Sequence, residues 1–136
     1  MILGIGTDLV EIARIEKVIK RHGARFIARC FAPGERTFGA DAPQAAAHYA
    51  KRFAAKEAAA KALGTGVRAP VTLRDFAVTN DPLGQPRLTL SGGAGALLKD
   101  RARAAPTVCH LSLSDEGAYA QAFVVIEILS ELTLPG

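Results

Sequence analysis

Cysteines and long apolar runs are scarce in this sequence of 136 residues. The two cysteines, Cys30 and Cys109, are far apart and lie outside any CxxC or Cys/His spacing, which excludes a disulfide framework and argues against a structural zinc site. No apolar run approaches the roughly 18 residues that span a bilayer. The amino terminus lacks the basic segment of a signal peptide. We therefore expect a cytoplasmic protein in which both cysteines are core residues.

The composition is that of a folded chain, because 49% of the residues are hydrophobic and 22% are charged. A chain of this length is able to bury its own core. We found no linker, repeat or low-complexity segment. We therefore predict one domain over residues 1–136, with 130–136 as a short carboxy-terminal tail.

Positive charge is concentrated in one part of the chain. The formal net charge is +4, and residues 14–36 contain seven Lys or Arg residues against two Glu residues. This excess indicates an anionic partner, which is a nucleic acid, a phosphorylated small molecule or an acidic protein. Aromatic residues make up only 6% of the chain, and no RRM, KH or OB signature is present, which weakens the nucleic-acid hypothesis.

The first half of the sequence predicts a strand and two helices. Residues 2–5 form a short apolar run that we expect to be a buried strand, closed by a turn at 6–8. Ile12, Ile15 and Ile19 form the apolar stripe of a helix. An alanine-rich helix is predicted from Asp41 to a stop at Gly64. Its small side chains permit close packing, which places it at the centre of the fold.

The second half predicts strands with one helix between them. We expect strands at 71–79, 87–90, 107–113 and 120–128, turns at 80–86 and 114–117, and a helix over 91–103 that Ser91 caps. The last strand is apolar on one face and half apolar on the other, so a helix layer or a subunit interface should cover it. The fold class is α+β, with a small, mainly antiparallel sheet packed against a long central helix.

Asp8 ends the segment GIGTD, which lacks the third glycine of GxGxxG and the GK[ST] of a P-loop. Two interpretations of this residue stay open. In one, Asp8 caps the following helix and Glu11 completes a capping box. In the other, Asp8 lies at the end of a buried strand and its carboxylate binds a metal ion.

Phe53, Glu57 and Lys61 are spaced i, i+4 and i+8 on one face of the alanine-rich helix. An exposed Glu–Lys pair at this spacing stabilises a helix by only a few tenths of a kcal/mol. The flanking alanines indicate a crowded helix, in which a carboxylate and an ammonium group need partners. Mg²⁺ and a phosphate group would be suitable partners, since Mg²⁺ binds through one or two carboxylates together with water and phosphate oxygens.

The segment HLSLSD at 110–115 contains the residue types of a Ser/His/Asp hydrolase. His110, Ser112 and Ser114 would share one strand face, so their side chains would point in parallel rather than converge. No G-x-S-x-G motif is present either. We interpret His110 as a partly buried, hydrogen-bonded histidine.

Two segments together resemble one family. GIGTDLVEI at 4–12 and RFAAKEAAAKA at 52–62 are similar to the two signature motifs of the holo-[acyl-carrier-protein] synthases, the bacterial 4′-phosphopantetheinyl transferases of fatty-acid biosynthesis. GTG at 64–66, NDPLGQP at 80–86 and HLSLS at 110–114 follow in the family's order. The resemblance covers residues 1–128.

The resemblance implies a Mg²⁺-dependent transfer of 4′-phosphopantetheine from coenzyme A to a serine of apo-acyl carrier protein, with release of adenosine 3′,5′-bisphosphate. It implies Asp8 and Glu57 as magnesium ligands and Lys61 as a contact of the pyrophosphate, these three being the catalytic residues. It also implies a homotrimer with active sites at subunit interfaces. The residues implied along the coenzyme are Arg52, Phe53, Gly64, Thr65, Gly66 and Pro86.

The basic segment suits this partner, because acyl carrier protein is acidic and Arg14, Arg21 and Arg25 would face it. The sequence departs from the family pattern at Asp115, where many members carry histidine, so no catalytic histidine is assigned and His110 does not inherit that role. The alternative function is a basic module that binds RNA or a nucleotide without catalysis.

Overall fold

The computed structural model describes residues 1–130. The predicted tail therefore lies, apart from Ser130, outside the described residues. The strands are β1 (Ile2–Glu11), β2 (Phe76–Asn80), β3 (Pro86–Leu90), β4 (Thr107–Glu116) and β5 (Tyr119–Ile128). The helices are α1 (Ile12–His22), α2 (Ala24–Cys30), α3 (Ala45–Leu63) and α4 (Gly92–Arg101), with 3-10 turns at Pro33–Glu35 and Leu73–Asp75.

The strands form two antiparallel sheets. One has the order β1-β5-β4, and the other is the β2-β3 hairpin. Helix α3 packs across β1 and β5 and buries the face of β5 that carries Ala120, Ala122, Val124 and Ile126. The predicted α+β fold, with a largely antiparallel sheet against a long central helix, is confirmed.

Two glycines of β1 allow α3 to lie directly against the strand. A Cβ atom added to Gly4 would lie 1.9 Å from the carbonyl oxygen of Ala62, and one added to Gly6 would lie 1.9 Å from the carbonyl oxygen of Ala58. Both alanines are buried on α3. The close packing predicted from the alanine-rich sequence is therefore confirmed, and the glycines on the facing strand share in producing it.

The turn predicted at residues 6–8 is wrong. Strand β1 continues through this segment to Glu11, and Asp8 pairs with Ala122 of β5. Pairing with a strand more than a hundred residues later overrides the turn preference of the Gly-Thr-Asp sequence. The helix that follows begins at Ile12 with Glu11 as its N-cap, and no side chain caps it, so the interpretation of Asp8 as a helix cap is also wrong.

Several other predicted boundaries are corrected. Helix α3 begins at Ala45 rather than Asp41, although it ends at Leu63 as predicted, with Gly64 in the left-handed conformation. The first part of the strand predicted at 71–79 is a 3-10 turn. Strand β4 runs on through the turn predicted at 114–117 to Glu116.

Helix α4 begins after Ser91 and ends at Arg101 rather than 103. The Ser91 side chain does not cap it. The carboxylate of Asp75 has that role, since its Oδ2 accepts a hydrogen bond from the backbone N–H of Ala94 at 3.1 Å.

A buried ion pair connects α3 to the segments around it. The Lys56 ammonium donates to Glu35 Oε1 at 2.7 Å and to the carbonyl oxygens of Leu73 and Phe76, and both charged side chains are inaccessible to solvent. Glu35 Oε2 in turn accepts from the backbone N–H of Val78 at 3.1 Å. The pair therefore fixes the β2-β3 hairpin to the central helix.

The other face of the three-stranded sheet is open. Ile5, Leu9, Tyr119 and Phe123 are each exposed by 45% or more on this face.

Of the two cysteines, Cys30 is buried as predicted, whereas Cys109 is only half-buried. Burial raises the pKa of the Cys109 thiol to about 11.

No helix within the described part of the chain has the length and apolar character needed to cross a membrane.

Candidate active site

Three predicted residues, Asp8, Glu57 and Lys61, come together where β1 crosses α3. Asp8 follows Gly6 by two residues, so it lies on the same, helix-facing side of the strand. The Lys61 ammonium lies 3.1 Å from Asp8 Oδ1 and donates to the carbonyl oxygen of Thr7 at 2.9 Å. The close approach at Gly6 brings these side chains within reach of one another.

Glu57 lies one helical turn before Lys61 and is half-buried. Burial raises the pKa of its carboxyl group, and the negative charge of Asp8 raises it further, whereas Lys61 and Arg14 act in the opposite direction. The two acids therefore share one electrostatic environment. The crowding expected from the alanines holds only in part, because Glu57 is half-buried and Lys61 is exposed.

The chemistry of these donors suits a hard divalent cation. Residues 1–130 contain no group of three or more His, Cys, Asp or Glu side chains able to hold a metal ion. Two neighbouring carboxylates with access to solvent match the way Mg²⁺ binds, through one or two carboxylates with its other positions filled by water and phosphate oxygens.

The residues implied along the coenzyme fall into two groups, one directly after α3 and one around Arg52 of α3. Gly64, Thr65 and Gly66 directly follow the last turn of the helix, three to five residues beyond Lys61. Gly64 and Gly66 have φ values of 91° and 68°, which favour glycine. The backbone N–H groups of all three residues donate to the carbonyl oxygen of Ala60. This end of the helix therefore forms a tight loop that begins one helical turn beyond Lys61.

The second group lies around Arg52, earlier on α3. The Arg52 guanidinium donates to Asn80 Oδ1 at 3.0 Å, and Asn80 pairs with Pro86 at the turn end of the β2-β3 hairpin. Phe53 is half-buried, and its ring packs against Phe26 at 6.4 Å between centroids. Arg52 and Gly64 are twelve positions apart, which corresponds to about 18 Å along the helix axis, and Glu57 and Lys61 lie between them.

The predicted partner-binding residues Arg14, Arg21 and Arg25 are all exposed on α1 and α2. Ile15 and Ile19 of α1 are buried, as the apolar stripe predicts. Arg14 is close enough to Glu57 to lower its pKa. The basic surface of α1 therefore begins beside the carboxylates.

Residues 110–115 do not form a catalytic triad. His110 is exposed rather than partly buried, and its Nε2 lies 3.0 Å from Glu127 Oε1. Its predicted hydrogen bonding is confirmed, but its predicted burial is wrong. The Asp115 carboxylate lies 3.3 Å from the Lys51 ammonium.

Three residues that shape the site, Gly6, Lys56 and Asn80, were not predicted to do so from the sequence. Gly6 was interpreted as part of a turn and of two sequence motifs, although glycines two residues apart on a strand, opposite an alanine-rich helix, are a signal for close packing. Lys56 was quoted only as part of the segment RFAAKEAAAKA, and its partner Glu35 is 21 residues away in sequence. Asn80 was interpreted only as a turn residue.

Comparisons with known proteins find proteins of similar sequence and fold. Residues 4–124 match the family model described as the 4′-phosphopantetheinyl transferase superfamily. The chain is 52% identical over 130 residues to a holo-[acyl-carrier-protein] synthase of Caulobacter vibrioides, with 95% of this chain and 98% of that protein covered. It is 50% identical over 133 residues to the protein of that name from Rhizobium rhizogenes, with 95% and 97% covered.

Solved structures show the same fold. The holo-[acyl-carrier-protein] synthase of Neisseria meningitidis is 40% identical, with a TM-score of 0.79 over 93% of this chain and 99% of that one. The Helicobacter pylori enzyme, determined in complex with coenzyme A, is 31% identical, with a TM-score of 0.77 over 90% of this chain and 99% of that one.

Proposed function

The chain belongs to the holo-[acyl-carrier-protein] synthases of the 4′-phosphopantetheinyl transferase superfamily, and we propose that Asp8, Glu57 and Lys61 carry its chemistry. It is an enzyme that transfers the 4′-phosphopantetheine group of coenzyme A to a serine of apo-acyl carrier protein. The observation that supports this assignment of residues is the convergence of Asp8 with Lys61, at 3.1 Å, beside Glu57.

Asp8 and Glu57 are the proposed ligands of Mg²⁺. Bound there, the ion would neutralise charge that develops on the diphosphate as the bond to the leaving group breaks. Lys61 extends from the same helix face as Glu57 and would donate to the pyrophosphate, adding a fixed positive charge. The products would be holo-acyl carrier protein and adenosine 3′,5′-bisphosphate.

The attacking serine must lose its proton as the new P–O bond forms. Asp8 and Glu57 are the carboxylates of this site, so we take either of them as the acceptor of this proton. The pH–rate profiles of Asp8→Asn and Glu57→Gln test their part in proton transfer. A variant with an unaltered profile and rate would remove that residue from the mechanism.

The extended arrangement along α3 supports the proposed coenzyme site. Arg52, Phe53 and Pro86 lie towards one end, and the loop of Gly64, Thr65 and Gly66 lies at the other. A coenzyme is long enough to contact both ends while its diphosphate lies beside Glu57 and Lys61. The order of these groups along the helix therefore suits an elongated ligand with a central diphosphate.

The basic surface formed by Arg14, Arg21 and Arg25 is the proposed docking site of the acidic carrier protein. Exposed arginines steer an acidic partner towards the site, mainly through the association rate, and this effect weakens with salt. Since Arg14 lies close to Glu57, a carrier protein bound here would present its serine beside the diphosphate.

The open sheet face supports a homotrimer with active sites at the subunit interfaces. Ile5, Leu9, Tyr119 and Phe123 expose apolar surface on one face, which is typical of a protein–protein interface. We further propose a cytoplasmic location, as expected for an enzyme whose substrates are coenzyme A and acyl carrier protein.

Mass spectrometry of the carrier protein tests the proposed function. Incubation with the enzyme, Mg²⁺ and coenzyme A should add one phosphopantetheine group to an apo-acyl carrier protein. Asp8→Asn and Glu57→Gln should each lower the rate by at least about 100-fold, while the control Asp100→Asn, at an exposed position on α4, should retain it. No mass gain with folded wild-type protein would contradict the proposal and favour a basic binding module.

A further inference from the structure

Lys61 makes both of its hydrogen bonds to β1 rather than to its own helix. Its ammonium lies 3.1 Å from Asp8 Oδ1 and 2.9 Å from the carbonyl oxygen of Thr7. The Asp8 side chain is only 18% exposed, whereas that of Lys61 is 53% exposed. The pair therefore joins a mostly buried carboxylate to a cation that has room to move into solvent.

This ion pair involves the same carboxylate that we assign to the metal. An ammonium group and a divalent cation bound to one carboxylate repel each other, and Lys61 already occupies one oxygen of Asp8. A metal ion that binds on its own must therefore weaken the contact between Lys61 and Asp8. The diphosphate of the coenzyme offers the ammonium a different anionic partner.

We infer that Lys61 is an internal counter-ion of Asp8 that opposes metal binding until a diphosphate draws it away. Metal and coenzyme then bind with positive coupling, because each favours the arrangement that the other requires. This inference rests on the proposed function, since it takes Asp8 as a metal ligand and the diphosphate as part of the substrate.

Replacing an active-site residue is usually expected to weaken ligand binding, whereas replacing Lys61 should strengthen the binding of the metal ion. Replacing Lys61 should tighten metal binding in the absence of coenzyme by about threefold to fivefold, the upper part of the range for an ion pair with an exposed member. The same replacement should weaken coenzyme binding and reduce the factor by which coenzyme tightens metal binding. If the Lys61 ammonium did not oppose the metal ion, its removal would leave the metal affinity unchanged or would lower it.

Titration with Mn²⁺, followed by electron paramagnetic resonance of the free ion, tests this inference on the full-length protein. Wild type, Lys61→Met and Lys61→Arg are compared with and without saturating coenzyme A, and carrier protein is omitted so that no turnover occurs. Lys20→Met is the matched control, because it removes the same charge from an exposed ion pair with Glu16 on α1. Thermal unfolding verifies that each variant is folded.

Without coenzyme, Lys61→Met should bind Mn²⁺ about threefold to fivefold more tightly than wild type. Lys61→Arg and Lys20→Met should stay within about twofold of wild type, since one keeps the charge at the site and the other lies outside it. Equal or weaker Mn²⁺ binding by Lys61→Met would overturn the inference and leave the proposed metal site intact. Unchanged Mn²⁺ binding by Asp8→Asn, or no binding by wild type in either condition, would overturn the metal site of the proposed function itself.

Discussion

Substitution of Gly6 by alanine perturbs the contact that positions the two proposed metal ligands. The added Cβ would lie 1.9 Å from the carbonyl oxygen of Ala58 and 2.8 Å from the backbone nitrogen of Ala62. Both are backbone atoms of α3 and have no rotamer by which to move aside. Real Cβ atoms essentially never approach a neighbour within 3.0 Å, so β1 and α3 must separate by about 1 Å.

The expected loss follows from that displacement. Overpacking a well-filled core costs about 1–3 kcal/mol, and sometimes more. We expect the upper end of this range for Gly6→Ala, because the obstacle is a helix backbone. Asp8 lies two residues beyond Gly6, and Glu57 directly precedes Ala58. A displacement of about 1 Å at reacting groups lowers the rate on the order of 100-fold, so we expect activity to fall by that factor.

Two measurements on Gly6→Ala check this reasoning. The free energy of unfolding in urea is measured at one protein concentration, and kcat/KM is measured for carrier-protein modification. The control is Gly39→Ala, because a Cβ there meets nothing within 4 Å, and it should change stability by less than about 0.5 kcal/mol. Wild-type stability and activity in Gly6→Ala would show that α3 does not lie against β1 as described.

Three further predictions concern stability. Lys56→Met leaves the buried Glu35 carboxylate without its cation and should lower the free energy of unfolding in urea by about 3–5 kcal/mol; a loss below about 1 kcal/mol would contradict the buried pair. Burial lowers the pKa of His48, so its contribution to stability is full above its ordinary pKa near 6.5 and is lost as the pH falls below that value. His48→Asn should therefore flatten the decline in unfolding free energy between about pH 7.5 and 5.5, and an unchanged slope would argue against it. Arg103 has a φ of 52°, a conformation that favours glycine, so Arg103→Gly should raise the free energy of unfolding by about 0.5–1 kcal/mol. The control Ala96→Gly, within α4, should lower it by about 1 kcal/mol. Equal losses in the two variants would contradict this prediction.

Local sequence patterns were sufficient to predict those elements that are stabilised mainly by contacts within the element or with its immediate neighbours in sequence. Ile15 and Ile19 identified the buried face of α1, and Gly64 identified the end of α3, because helix amphipathicity and left-handed C-caps are local properties. The spacing of Glu57 and Lys61 placed both on one helix face. Their convergence with Asp8 came from the family resemblance, and the structure agrees with it.

Features that depend on distant pairing were not predictable in the same way. The segment from Gly6 to Asp8 has the composition of a turn, and only its pairing with β5 makes it a strand. The contact between Arg52 and Asn80 requires the β2-β3 hairpin to fold back onto α3. No sequence period encodes such a contact, because it depends on how separate elements pack together.

The central claim is that Asp8 and Glu57 hold one cation beside the diphosphate of the coenzyme. A crystal grown with Mn²⁺ and coenzyme A, measured at a wavelength where manganese scatters anomalously, tests it most directly. We expect an anomalous peak about 2.0–2.3 Å from oxygens of both carboxylates and of the diphosphate. A peak bound to other residues, or a diphosphate remote from both carboxylates, would contradict the account.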